Sequence, residues 1–109
     1  MEFLNINEAF QLTGKTREAE LLRILTYWQT KAQVKRDGHI WIVKTADELI
    51  EDGMTCSKPT IYRTLKKLEK KSLIVVIHRP HPFKKALHAS WIRVTLDPGF
   101  IISPKLKQN

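Results

Sequence analysis

The chain has 109 residues, with 19 Lys and Arg against 11 Asp and Glu, a formal charge of +8. That length fits one domain, and 42% hydrophobic residues can bury a core, which excludes wholesale disorder. A single cysteine, Cys56, excludes an intrachain disulfide framework and a cysteine-rich zinc site; no apolar run nears the roughly 20 residues of a transmembrane helix.

The N-terminus lacks a signal-peptide pattern, so the expectation is a cytoplasmic protein with no membrane partner. The charge is not evenly spread. Residues 1–53 hold 7 basic and 9 acidic side chains, whereas residues 54–109 hold 12 basic and 2 acidic ones. Solubility alone does not require such segregation, and a concentrated positive field points to an anionic partner.

In chain order, residues 1–15 form an N-terminal arm or a short helix over Asn7–Leu12, ended by Gly14. Thr16 is the expected N-cap of a helix over Arg17–Gln33, with Leu21, Leu22, Leu25, Trp28 and Ala32 at helical spacing. Lys35-Arg36-Asp37-Gly38 is a turn signal, and Ile40–Val43 a short strand. Thr45 and Glu48 have capping-box spacing at the start of a short helix that Gly53 ends by adopting positive φ.

Ser57 is the expected N-cap of a further helix reaching about Lys71, with Pro59 in its first turn and Ile61, Leu65 and Leu68 on one stripe. Leu73–Arg79 is a β-branched strand, and Ser90–Leu96 a half-buried returning strand whose residues alternate. Between them, residues 78–90 form a wing containing Pro80 and Pro82. Pro98, Gly99 and Pro104 break up a tail over residues 98–109. Helix, strand, two helices, strand, loop and strand, over residues 16–97, is the order of an α+β winged helix-turn-helix: a three-helix core with a small antiparallel β-wing.

The helix over 57–71 holds six basic residues and one acid, Glu69. At about 100° per residue, Pro59, Arg63, Lys66 and Lys70 lie opposite its apolar stripe. The second helix of a helix-turn-helix lies in the major groove with its N-terminal half at the base edges. Lys58, Thr60, Arg63, Thr64 and Lys67 are therefore expected at base edges, and Lys66, Lys70 and Lys71 at phosphates. Arginine bonds both guanine acceptors with its fork, and threonine donates, accepts or touches a thymine methyl. Thr45 and Ser57, where the two helices begin, complete that set. From the wing, Arg79, Lys84 and Lys85 are expected on flanking backbone or in the minor groove.

Trp28 is expected in the core, and Trp41 and Trp91 on strands that pair. No Gly-rich phosphate loop, nucleophilic triad or clustered carboxylate pair is present, so neither an enzyme nor a cofactor is expected. His78 and His81 lack the further ligands a metal site needs.

Trp41-Ile42-Val43-Lys44-Thr45, Glu48-Leu49, Thr60-Ile61-Tyr62-Arg63, Leu65–Lys71, Leu73-Ile74 and Ser90-Trp91-Ile92-Arg93-Val94 together resemble the winged-helix domains of phage and plasmid replication initiator (replisome organiser) proteins. The resemblance spans about residues 17–96. It implies binding to origin DNA and a replication protein as partner; a role in transcriptional regulation fits the same residues. Ser72 departs from it, standing where a glycine commonly ends the helix. A homodimer is a further expected partner, since one module buries only roughly 600–1,000 Å² on DNA. Two alternatives stay open: a protein-interaction adaptor docking through the apolar first 15 residues, and a single-strand binder stacking bases on Trp41 and Trp91.

Overall fold

The fold is seen in a computed structural model, which describes residues 5–83 and 88–95. Residues 1–4, Lys84, Lys85 and the tail over 98–109 lie outside the described residues.

Asn5 starts α1 (Ile6–Thr13) through a capping box: its side chain accepts from the Glu8 N–H at 2.9 Å, and Glu8 Oε1 accepts from the Asn5 N–H at 3.2 Å. Gly14 ends the helix at φ 73°, its N–H donating to the Phe10 carbonyl. The buried Thr13 hydroxyl donates to the carbonyls of Ala9 and Lys15, at 3.0 and 3.1 Å, and so shapes the corner. As a result α2 (Thr16–Lys31) has Lys15, not Thr16, at its N-cap position; Thr16 is already helical, and no side chain caps this end.

The turn at 35–38 is shorter than its sequence signal indicates. Only Asp37 and Gly38 form the turn, at φ 54° and 77°, the double positive φ that a two-residue type I′ hairpin demands. Lys35 and Arg36 belong instead to a strand, β1 (Val34–Arg36), paired with β2 (His39–Lys44).

Thr45 and Glu48 form the expected capping box of α3 (Ala46–Glu51), with bonds of 3.1 and 2.8 Å. Gly53, at φ 127°, follows its end. Then α4 spans Lys58–Lys70, with Ser57 at the N-cap position but no capping bond from its side chain. The hairpin of β3 (Ile74–Pro80) and β4 (His88–Val94) extends the paired strands to Pro80, His88 and Ala89 within the expected wing. Pro80 is accommodated because β3 is an edge strand.

Among the described residues there are thus four helices and one four-stranded antiparallel sheet of order β1-β2-β4-β3, an α+β fold. The helices cover one sheet face. Leu21, Leu22 and Leu25 of α2, Leu49 of α3, and Ile61, Leu65 and Leu68 of α4 meet Ile42, Ile74 and Ile92 of the sheet. Each such side chain contributes roughly 1.5–3 kcal/mol on burial. β4 is central rather than half-buried: Ile92 faces this core, while Trp91 on the reverse face is also only 4% exposed. None of the described helices is long and apolar enough to cross a membrane.

Candidate nucleic-acid interface

α4 inserts Ile61, Thr64, Leu65 and Leu68 into the core and leaves Lys58, Tyr62, Arg63, Lys66, Lys67 and Lys70 exposed. This split follows the 3.6-residue period, with one shift from expectation. Thr64 lies on the inner side, 4% exposed, and its hydroxyl donates to the Thr60 carbonyl at 2.7 Å. It has no outward surface for a base edge.

At the start of α4 three polar side chains form a surface chain. Ser57 Oγ lies 3.0 Å from Thr60 Oγ1, which accepts from Arg63 Nη2 at 3.1 Å. The serine therefore holds Thr60 rather than a backbone donor, and the guanidinium folds back toward the first turn. Lys58 Nζ sits 3.1 Å from Asp47 of α3, both side chains more than half exposed. Thr45 keeps its hydroxyl on the α3 cap.

Lys71 is not a free cation. Its ammonium donates to the Thr13 carbonyl at 2.6 Å and to the carboxylate of Glu18, a residue only 4% exposed, at 2.5 Å. Its charge ties the end of α4 to the corner between α1 and α2, because a buried carboxylate needs a partner. Lys66, Lys67 and Lys70 form no ion pair among those recorded for the described residues.

The only acid on α4, Glu69, is turned sideways, Oε2 accepting the Val76 N–H of the β3 edge at 3.3 Å. Beside it, Tyr62 and Lys66 of α4 face His78 of β3 across an open groove. Tyr62 is 47% exposed. The Tyr62–Lys66 spacing of one helical turn is legible in the sequence; the position of His78 depends on long-range pairing.

Arg79 is half-buried in β3, opposite Ala89. It belongs to the reverse face of the sheet, where the arginines are stacked. The Arg36 guanidinium lies 5.6 Å from the Trp91 ring centre and Arg93 5.6 Å from that of Trp41. Both indoles are 4% exposed, and their N–H groups donate to the carbonyls of Arg36 (Trp41) and Pro80 (Trp91) at 3.0 and 3.3 Å. Trp28, half-buried against the core, has Lys44 Nζ 3.6 Å from its ring centre. Among the described residues, no three His, Cys, Asp or Glu side chains are grouped to hold a metal.

Comparison of the chain with protein-family models, with curated proteins and with solved structures returned no match.

Proposed function

We propose that this chain is a winged helix-turn-helix protein that binds double-stranded DNA sequence-specifically, acting in the cytoplasm in replication initiation of a mobile element or in transcriptional regulation. In this reading α3 and α4 form the helix-turn-helix, α4 enters the major groove, and the β3–β4 hairpin is the wing on flanking backbone. The element order from α2 onward and the antiparallel pairing of β2, β4 and β3 support it.

The observation that carries the reading is the exposed side of α4. Arg63, Lys66, Lys67 and Lys70 share it within about 100° of helix arc, Lys58 is exposed in the first turn, and the helix's one acid is drawn to the sheet edge. A merely solvated helix balances its charges along the surface; this one presents cations to whatever approaches. Arg63, held near the first turn by Thr60, is the residue for base readout, and the lysines are the phosphate ligands.

Selection from a random duplex pool supplies the preferred site. About five phosphate contacts give a log–log salt slope near −4 to −5. Arg63→Ala is expected to cost roughly 1–3 kcal/mol on the preferred duplex and less on random duplex. Equal losses on both remove Arg63 from base readout. No duplex binding at about 50 mM salt, together with capture of a discrete protein partner, overturns the reading in favour of an adaptor. The buried indoles count against single-strand stacking, which competition with unpaired oligonucleotides tests directly.

A further inference from the structure

The groove between α4 and β3 has a volume of about 550 Å³ and is lined by Tyr62, Leu65, Lys66, Glu69, Val76 and His78. Leu65, 2% exposed, closes it from below. Tyr62 and Lys66 stand one helical turn apart on one wall. On the other, His78 packs edge-on against Tyr62, ring centres 5.9 Å apart, and its Nδ1 lies 3.4 Å from Ser90 Oγ. That contact leaves Nε2 as the ring nitrogen available to a ligand.

We propose that this groove is a phosphodiester site, holding one backbone phosphate of bound DNA between the Lys66 ammonium, the Tyr62 hydroxyl and the His78 imidazole. The inference rests on the DNA reading above. A helix lying in the major groove has a phosphate backbone along each side, and the groove runs along the side of α4 nearest the wing. The donors fit an anion: a point charge, a hydroxyl and a ring N–H. Glu69, the one acid in the groove, is engaged by the Val76 N–H.

The groups facing His78 are Tyr62, Lys66 and Glu69 from α4 and Ser90 from β4, with Arg79 next on its own strand.

The test is fluorescence anisotropy of a labelled random-sequence duplex across a salt series at one pH. Lys66→Gln is expected to lower the log–log salt slope by about 0.9. Tyr62→Phe, which keeps the ring, and His78→Ala, which removes the ring N–H, each lose about two- to tenfold in affinity at fixed salt. Wild-type affinity in both Tyr62→Phe and His78→Ala overturns this site while leaving the DNA reading intact. Absence of duplex binding throughout the salt series overturns both.

Discussion

Lys66 on α4 and Arg36 on the reverse face of the sheet carry the same charge in different settings. Lys66 is exposed beside an open groove and forms no ion pair among the described residues. Arg36 lies over Trp91 as Arg93 lies over Trp41, each guanidinium covering apolar ring surface. The described strands contain no Asp or Glu, and α4 contains only Glu69, so both regions are poor in acid. Composition therefore treats the two regions alike. What separates them is that one set of cations is committed to packing and the other is available for exchange with counterions.

The largest expected effect lies on the packed side. Trp91→Ala removes an indole that is 4% exposed together with its bond to the Pro80 carbonyl, and is expected to lower stability by about 3–5 kcal/mol in urea unfolding. Duplex affinity of the folded fraction should change little. Arg36→Met provides the partner test: it keeps the ring covered, so stability falls by only about 0.5–1 kcal/mol. A salt slope lowered by about one unit in Arg36→Met would move this face into the DNA interface and dissolve the contrast.

The contrast also cuts through α4 itself. Lys70 and Lys71 are adjacent in sequence, but Lys71 neutralises the buried Glu18. Removing one member of a fully buried pair costs about 3–5 kcal/mol; with the Lys71 side chain 39% exposed, Lys71→Met is expected to cost about 1–3 kcal/mol. The same change at Lys70 should leave stability within about 0.5 kcal/mol and lower the salt slope by about 0.9. Reversed results at the two positions would make Lys71 the phosphate ligand.

These cases mark how far the sequence could be read. Local signals were legible: the Thr45–Glu48 capping box, the Ile61, Leu65 and Leu68 stripe, and the positive φ at Gly53 all depend on neighbours within a few residues. β1 was not, because Val34–Arg36 is three residues with no apolar alternation, and only its pairing with β2 makes it a strand. A stripe of Ile61, Leu65 and Leu68 alone points Thr64 outward, although its angle on the helix is close to that of Leu68. The role of Lys71 needed Thr13 and Glu18, more than 50 residues away.

Ser72 carries a smaller effect, and one that a glycine-trained eye reads from sequence. It adopts φ 61° just past α4, where an L side chain costs about 1–2 kcal/mol. Glycine removes that strain but loses more chain entropy on folding, so Ser72→Gly is expected to stabilise by about 0.5–1 kcal/mol. Thermal unfolding measures it, and duplex affinity should stay unchanged. A destabilised variant would mean that the seryl side chain itself holds the connection to β3.

A similarly small change in stability is expected at Lys58, where the two kinds of cation meet. Its ion pair with Asp47 is exposed on both sides and contributes about 0–1 kcal/mol. Against that, a cation in the first turn of a helix opposes the dipole by about 0.3–1 kcal/mol. The terms nearly cancel, so Lys58→Ala should leave stability within about 0.5 kcal/mol. On duplex DNA the cancellation disappears, because the phosphate competes with Asp47 for the ammonium. Lys58→Ala then lowers the salt slope by about 0.9, and Asp47→Asn, which frees the lysine and removes a repelling charge, raises affinity a few-fold at low salt. Opposite signs from the two members of one ion pair distinguish an exchangeable cation from a structural one. Losses in both variants would instead assign the pair to holding α3 against α4.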